Sequence, residues 1–319
     1  MPSNGLSRRS RVLLGAAIVV MAAAGWLLPR RVGSPTHVPA PHVTAAPVPP
    51  RAQSPALAES PADVTLAEYK GLCSADNVAS CERACDRGDA ASCRSLGWHY
   101  NHGTPPLQKD EARAAALYSR ACEGEDAMGC ANLGVMYGYG QGVAKDHAKA
   151  AAAYQRACDR GNAQGCTNLG VMYDYGRGVE PDEARAAALY ERGCEQGHAH
   201  GCANLGVMHE LGAGGLDKDD FQAVALYRRA CDGGSGFGCT NLGRMYEGGR
   251  GGLSIFMSGA ATLYQRGCDR GDASGCANLG RMYEGGLGDL PKDVPRAAGL
   301  YRQACDAGDR DACTKAPPR

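Results

Sequence analysis

The sequence predicts an all-α protein built as a solenoid of helical hairpins. Similar segments recur every 36 or 37 residues, each unit has two short blocks with helical spacing, and cysteines fall in pairs eight positions apart. Aromatic residues make up only 6% of the 319 residues, with 3 Phe, too few for one large globular core. Stacked hairpins can instead bury a continuous core of small side chains.

Six repeat units account for most of the chain. The first block recurs in the form Gly129 to Tyr137, and the second in the form Ala150 to Asp159. The units are Asp89–Glu125, Asp126–Gly161, Asn162–Gly197, His198–Gly234, Ser235–Gly271 and Asp272–Gly308. We therefore predict one repeat domain over residues 89–308, preceded by capping helices in 63–88 and followed by a partial repeat and tail in 309–319.

Each block has the spacing of a helix with one apolar stripe. Leu133 and Tyr137 are four residues apart in the first block, as are Tyr154 and Cys158 in the second. Gly138, Gly140 and Gly142 are expected to break the chain between the two helices, and Gly161 to end the second in a left-handed conformation. Small residues such as Gly134, Ala150 and Ala153 would permit close helix packing. One tyrosine would fill each layer: Tyr118, Tyr154, Tyr190, Tyr227, Tyr264 and Tyr301.

The 16 cysteines test the hairpin model independently. On one continuous helix, eight residues rise ~12 Å, beyond the ~4.4–6.8 Å between α-carbons that a disulfide allows, so the chain must turn within each pair. Each bridge would then join the second helix of one unit to the first helix of the next. The predicted pairs are Cys73 with Cys81, Cys85 with Cys93, Cys122 with Cys130, Cys158 with Cys166, Cys194 with Cys202, Cys231 with Cys239, Cys268 with Cys276, and Cys305 with Cys313.

A metal-binding role for these cysteines is disfavoured. Zinc sites use Cys-x₂₋₄-Cys spacing, and only Cys81 and Cys85 approach it, as the overlap of two adjacent pairs. Neither a metal nor another cofactor is expected. A thiol-disulfide exchanger is also disfavoured, because the uniform spacing is typical of structural bridges and no Cys-x-x-Cys occurs.

The amino-terminal segment predicts export. Arg8, Arg9 and Arg11 precede the uncharged run from Val12 to Leu28, so residues 1–32 are interpreted as a signal peptide or a retained signal-anchor. Residues 33–62 contain eight prolines and predict an extended linker. Export and the thiol count together predict an oxidising compartment: periplasmic, inner-membrane-anchored or secreted.

Charge argues against nucleic acid as a partner. The chain has 34 basic and 34 acidic residues, but residues 1–62 hold six basic residues against the single acid Glu59, so the remainder carries 28 − 33 = −5. A mildly acidic folded region lacks the basic footprint of a nucleic-acid binder.

The segment Gly-Cys-Ala-Asn-Leu-Gly-x-Met-Tyr, the Gly-rich turn and Ala-x-Leu-Tyr-x-Arg-Ala-Cys-Asp resemble the Sel1-like repeat family. That family is related to tetratricopeptide repeats, and this chain is similar to its disulfide-stapled branch, the Helicobacter cysteine-rich proteins, from about residue 66 to 316. The resemblance implies a right-handed αα-hairpin solenoid, here expected to be a monomer. The first unit departs from the pattern at Ser95 to His99 and at Thr104 to Pro106, and the fifth at Leu253 to Met257.

The resemblance also implies penicillin-binding or weak β-lactamase activity. The residues themselves offer little support for it: no serine has a lysine three positions on, as a serine β-lactamase requires. The pair His198 and His200 and the pair His99 and His102 each stand alone, without the clustered ligands of a metal-dependent enzyme. A β-lactamase-type hydrolase is therefore kept as the alternative function.

The leading prediction is an extracytoplasmic scaffold that binds a peptide, a protein or a peptidoglycan-related ligand. As in tetratricopeptide modules, the first helices should line the concave face; Leu133, Gly134 and Tyr137 pack inward, leaving a stripe through Met128, Ala131, Asn132, Val135 and Tyr139. Arginine replaces the valine of this stripe in the last two units and would bind a carboxylate. The candidate ligand-binding residues are Asn132, Asn168, Asn204, Asn241, Asn278, Arg244, Arg281, Trp98, Tyr139 and Tyr175.

Two of these assignments have structural alternatives. A repeated asparagine can hydrogen-bond to the neighbouring unit and set the stacking angle, with no ligand involved. Trp98 can cover the end of the core. Arg244 and Arg281 are harder to explain structurally, because they change where the surrounding framework does not.

Overall fold

The computed structural model describes residues 77–316, which form fourteen α-helices and no strand. The predicted all-α class is confirmed. The predicted signal, the linker, most of the amino-terminal cap and Cys73 lie outside the described residues. The helices are α1 (Val78–Asp86), α2 (Ala90–His102), α3 (Glu111–Glu123), α4 (Ala127–Tyr139), α5 (His147–Asp159), α6 (Ala163–Tyr175), α7 (Glu183–Glu195), α8 (Ala199–Leu211), α9 (Asp220–Asp232), α10 (Gly236–Gly248), α11 (Met257–Asp269), α12 (Ala273–Gly285), α13 (Val294–Asp306) and α14 (Arg310–Lys315).

Helices α2 to α13 form six hairpins, each with a first and a second helix. The first helices end at a glycine with positive φ, for example Gly140 at 74°, a conformation that only glycine adopts readily. Gly138 was predicted to break the chain but lies inside α4, which continues to Tyr139. Gly161 follows α5 with a φ of 82°, as predicted.

In nearly every hairpin, the second helix begins at a polar N-cap residue. The side chain of Asp146 accepts a hydrogen bond from the Lys149 amide, and the same residue type occupies the equivalent position in four other repeats. In the fifth repeat that position is Phe256, which has no side-chain acceptor, so α11 begins without a side-chain cap.

The core is built from tyrosines that pack on glycines. The predicted layer tyrosines are all buried, at 6% exposure or less. A Cβ atom added to Gly134 would come within 2.5 Å of the Tyr154 ring, and the equivalent glycines of the other repeats face their own tyrosines in the same way. The two helices of each hairpin can approach closely because this position has no side chain.

Disulfides join consecutive hairpins at every junction of the described chain. Each links the end of one second helix, or of α1, to the start of the next first helix, with α-carbons 4.4 to 4.7 Å apart. Seven of the predicted pairs fall wholly within residues 77–316, and all seven are confirmed: Cys85 with Cys93, Cys122 with Cys130, Cys158 with Cys166, Cys194 with Cys202, Cys231 with Cys239, Cys268 with Cys276, and Cys305 with Cys313.

These cysteines are structural rather than ligand-binding. In the six bridges from Cys85–Cys93 to Cys268–Cys276, both cysteines are buried, at 2% exposure or less. The cysteines that the first helices contribute to these bridges are Cys93, Cys130, Cys166, Cys202, Cys239 and Cys276. Cys81 is also disulfide-bonded, and its predicted partner Cys73 lies outside the described part. The bridges therefore form part of the core between repeats.

Arginines reinforce these junctions. Arg156 donates a 2.8 Å hydrogen bond from Nη2 to the carbonyl of Cys122 in the preceding bridge, and Arg120, Arg192 and Arg229 repeat the contact. In the fifth repeat Arg270 takes this role and donates to the Cys231 carbonyl. Each guanidinium thus satisfies a carbonyl at the carboxyl end of a helix.

The first helices of adjacent repeats lie closer together than the second helices do. First helices of adjacent repeats contact one another at all five junctions from α2 to α12, whereas second helices pack chiefly against first helices. We call the surface formed by α2, α4, α6, α8, α10 and α12 the inner face. Every helix of residues 77–316 falls short of the length and hydropathy of a bilayer span.

Candidate functional site

One position of each first helix reaches solvent on the inner face. It carries Trp98 and Arg244, which are both exposed, and three valines and Arg281, which are partly exposed. The complete row is Trp98, Val135, Val171, Val207, Arg244 and Arg281. Because the first helices lie side by side, this row runs along the array and changes from apolar to cationic.

Trp98 lies at the amino-terminal end of the row and is 45% exposed. Its ring stacks on His102, with ring centroids 4.3 Å apart and planes at 28°. His99 approaches the indole edge-on. The tryptophan is therefore a surface residue held by neighbouring histidines, and does not cover the core.

Tyr139 and Tyr175 occupy the last turns of α4 and α6. Tyr139 is 49% exposed, and Tyr175 is partly buried beneath Arg177, whose guanidinium carbon lies 5.1 Å from the ring centroid. Burial raises the pKa of Tyr175 to about 12, so its hydroxyl remains a hydrogen-bond donor at neutral pH. The equivalent residue in α8 is Leu211, which is 41% exposed. In α10 and α12 the same position is a glycine. Large side chains on this edge are thus confined to the first four repeats.

The predicted asparagine row follows the same helices. Asn132, Asn168, Asn204 and Asn278 are partly exposed, whereas Asn241 is buried at 4%. Asn168 forms a side-chain hydrogen bond with Tyr154 that opposes the rise in the tyrosine pKa caused by burial. Asn241 accepts a 3.1 Å hydrogen bond from Arg244, and its Nδ2 has no partner among the described residues. At least two of these amides therefore contact the protein itself.

Ala131 was predicted on the open stripe, and this was wrong: it is 1% exposed and belongs to the core. The cause is the close packing of adjacent first helices, which covers this side of α4. Met128, by contrast, is 51% exposed, and the neighbouring Val135 is partly exposed.

The two arginines of the row differ in their partners. Arg281 donates from Nη2 to both carboxylate oxygens of Glu247, each at 2.7 Å. Arg244 would be expected to bind Glu210 in the same way, but Arg250 occupies that carboxylate at 2.6 Å. Arg250 also pairs with Asp220 at 2.7 Å. Arg244 is left exposed, with no ion pair to any residue in 77–316.

Sequence reasoning missed a row of acids beside these arginines. Each accepts a hydrogen bond from a layer tyrosine: Tyr190 to Asp174 at 3.2 Å, Tyr227 to Glu210 at 2.7 Å, Tyr264 to Glu247 at 2.6 Å and Tyr301 to Glu284 at 2.7 Å. The sequence signal was an acidic residue at the same position of the last four units. The first two units carry Asn101 and Gly138 at that position. These acids hold the tyrosine hydroxyls and supply the partner of Arg281.

The contacts of His198 and His200 are those of packed structural residues. His198 Nδ1 lies 2.8 Å from Thr167 Oγ1, and His200 Nδ1 lies 3.3 Å from Ser235 Oγ. Burial, and secondly the neighbouring His200, lowers the pKa of His198 to about 4, so the ring is neutral at physiological pH. Residues 77–316 contain no group of three or more His, Cys, Asp or Glu side chains placed to hold a metal ion.

The family model of the Sel1 repeat matches six consecutive segments of this chain, at residues 90–126, 127–162, 163–198, 199–235, 237–272 and 273–309. These coincide with the six hairpins to within a few residues at the ends. No curated protein matches the chain significantly.

Among solved structures, a protective antigen of uropathogenic Escherichia coli with an SLR fold is 30% identical, with a TM-score of 0.61 over 74% of this chain and 50% of its own. This chain thus spans half the length of that antigen. A Sel1 repeat protein from Oxalobacter formigenes is 23% identical, with a TM-score of 0.67 over 74% of this chain and 93% of its own. Cysteine rich protein B of Helicobacter pylori is 28% identical over 45% of this chain and 98% of its own, with a TM-score of 0.34.

Proposed function

Because the chain belongs to the Sel1 repeat family, we propose that it is an exported scaffold whose inner face binds an extended segment of a partner protein. The family match and the repeated hairpins support a binding role for the array as a whole. The seven disulfides of the described residues support an oxidising location outside the cytoplasm. The partner is bound non-covalently and undergoes no reaction.

The observation that carries the proposal is that the guanidinium of Arg244 pairs with no carboxylate in residues 77–316. Its equivalent Arg281 is already bonded to Glu247, whereas the acid that would match Arg244 is taken by Arg250. A guanidinium grips a carboxylate through two parallel hydrogen bonds. Arg244 therefore binds an acidic side chain or a free terminal carboxylate of the partner, and the adjacent Asn241 fixes its orientation through their 3.1 Å hydrogen bond.

The rest of the inner face fits the same peptide. The exposed side chains Trp98, Met128, Tyr139 and Leu211 supply apolar contact in the first four repeats. Aromatic and arginine side chains are the residues that most often dominate binding energy at protein interfaces. The peptide thus lies with its apolar part toward the first repeats and its carboxylate at the fifth.

The test compares two exposed arginines. Arg244→Ala removes the inner-face cation, and Arg302→Ala, on the second helix α13, is the matched control. The full oxidised chain is used to recover partners from the exported proteins of its source. Affinity for a recovered partner is then measured by titration. We expect about a tenfold loss for Arg244→Ala and less than about twofold for Arg302→Ala. Equal recovery and affinity for all three proteins would remove the carboxylate site.

The hydrolase alternative stays a prediction of the family resemblance, and no contact in residues 77–316 favours it. Turnover of nitrocefin by purified, oxidised protein separates it from the scaffold. The scaffold predicts a rate equal to that of a heat-denatured control. Turnover that survives further purification would reverse the order of the two functions.

A further inference from the structure

The fifth repeat differs from the others at the start of its second helix. At the two positions directly before this helix, the other repeats carry lysine or proline followed by aspartate. The fifth repeat carries Ile255 followed by Phe256. Three positions after Phe256 it has Gly259, where the others have arginine, lysine or glutamine. The residues at that position in the other repeats are Arg113, Lys149, Arg185, Gln222 and Arg296. A polar, capped helix start has been exchanged for an apolar one.

These changes uncover an aromatic ring. In four repeats, the cation at the Gly259 position lies over a tyrosine of the first helix: Arg113 over Tyr100 at 4.5 Å, Lys149 over Tyr137 at 5.5 Å, Arg185 over Tyr173 at 4.8 Å and Arg296 over Tyr283 at 4.4 Å. In the fifth repeat the tyrosine is Tyr246, and Phe256 meets it edge-on at 6.1 Å. A Cβ atom on Gly259 would collide with the Phe256 ring, so the glycine is required for this arrangement.

The result is a pocket on the outer side of the array, between α9 and α11, which we call the outer pocket. Its volume is about 460 Å³, and it is broadly open to solvent. Tyr246 and Phe256 form its aromatic wall, and the buried side chains of Leu242 and Leu263 line its base. Phe256 is 55% exposed and the adjacent Ile255 is 68% exposed, so the apolar surface continues beyond the rim.

Arginines stand at the rim. In three other repeats the residue at the position of Arg228 bonds to an acid one turn later: Ser119 to Glu123, Gln155 to Asp159 and Gln265 to Asp269. Arg228 instead reaches only the Tyr246 hydroxyl, at 3.5 Å. Across the pocket, Arg266 makes a loose 3.5 Å ion pair with Asp232, in which both side chains are at least 40% exposed. Such a pair contributes little, so both guanidinium groups are available to a ligand.

We propose that the outer pocket binds an aromatic side chain of an acidic segment in a partner protein. The ring would pack against the pair formed by Tyr246 and Phe256, since aromatic groups associate favourably in stacked or edge-to-face contact. Carboxylates flanking it would pair with Arg228 and Arg266. An anionic lipid surface would meet the same arginines, and sedimentation with vesicles distinguishes it from a peptide.

The experiment uses backbone NMR shifts of the oxidised protein, titrated to about 5 mM with three capped tripeptides: Glu-Phe-Glu, Lys-Phe-Lys and Glu-Ala-Glu. We expect Glu-Phe-Glu to shift the amides of Gly259 and Thr262, with affinity at least about tenfold above the other two. Equal shifts from all three peptides, or no shift at these amides, would overturn the proposal. A second measurement is sedimentation of the protein with phosphatidylglycerol vesicles. Sedimentation that Glu-Phe-Glu does not reverse would also overturn the proposal.

A restoring variant gives a second readout. Phe256→Asp combined with Gly259→Arg recreates the cap and cation seen at Asp182 and Arg185, so the repeat keeps its fold while the pocket is filled. The peptide-induced shifts should disappear in this variant and persist in Arg244→Ala, which alters only the inner face. Persistence of the shifts in the restoring variant would place the peptide elsewhere and contradict the proposal.

Discussion

The hydroxyl of Tyr264 donates a 2.6 Å hydrogen bond to the carboxylate of Glu247. The same carboxylate accepts two contacts from Arg281 of the following repeat. One acid thus links the two helices of the fifth hairpin to the first helix of the sixth. The inner-face cation Arg281 and the buried tyrosine layer are therefore parts of one network.

Removing the Tyr264 hydroxyl should lower the free energy of unfolding by roughly 1.5–3 kcal/mol, the usual value for a hydrogen bond to a charged group. Tyr154→Phe is the control, because the residue at the acid position of that repeat is Gly138. The control should cost about 1 kcal/mol or less. Urea unfolding of both variants checks this, and equal losses would show that the acid does not strengthen the tyrosine contact.

Asp174→Asn should leave the protein as stable or more stable at neutral pH. Burial raises the pKa of Asp174, although the Tyr190 hydroxyl partly opposes this. A carboxyl whose pKa is higher in the folded than in the unfolded state loses stability as pH rises through the interval between the two values. The asparagine avoids that loss. Melting temperatures of both proteins at neutral and mildly acid pH measure this difference in stability. A variant clearly less stable than the unsubstituted protein at neutral pH would contradict the raised pKa of Asp174.

His198 should make the protein sensitive to mild acid. Its folded pKa of about 4 lies below the ordinary value of 6.5, so the unfolded state binds the proton first. Stability is then lost as pH falls from about 6.5 toward 4, by up to about 3 kcal/mol. His198→Asn, which copies the cap residue Asn162, should remove this part of the acid dependence. The two unfolding free energies should diverge between about pH 7 and pH 4.5; parallel curves would exclude His198 as the source.

Replacing Cys158 and Cys166 by alanine should cost roughly 2–3 kcal/mol, the chain-entropy value for so short a loop. Because repeats are stabilised by their neighbours, a weakened central junction should also split unfolding into two steps. The terminal pair Cys305 and Cys313 is the control, since only the short α14 lies beyond it in the described chain. A single transition with the same loss for both double variants would argue against junction-by-junction coupling.

The sequence predicted the architecture well because the signals repeat. Six copies of one pattern defined the hairpin boundaries, and cysteines eight apart required the turn that the structure places there. The layer tyrosines were found for the same reason. Ala131 was misplaced, since a single helical stripe cannot show how closely the next first helix packs.

The inner face was predictable in outline only. The row from Trp98 to Arg281 could be identified from equivalent positions, but the different states of Arg244 and Arg281 could not. They depend on Arg250, a turn residue that reaches back 40 positions to Glu210. The outer pocket was likewise visible only as an apolar departure at Leu253 to Met257, because the uncovered Tyr246 ring comes from another helix.

The inner face as a peptide site is tested most directly by photocrosslinking in the oxidised protein. A benzoylphenylalanine at Val207 reports on the inner face, and one at the exposed Ala188 of α7 reports on the opposite side of its hairpin. We expect a partner peptide joined to position 207, greatly reduced when Arg244→Ala is added, and absent at 188. The same peptide captured equally at both positions, or at 207 regardless of Arg244, would contradict the account.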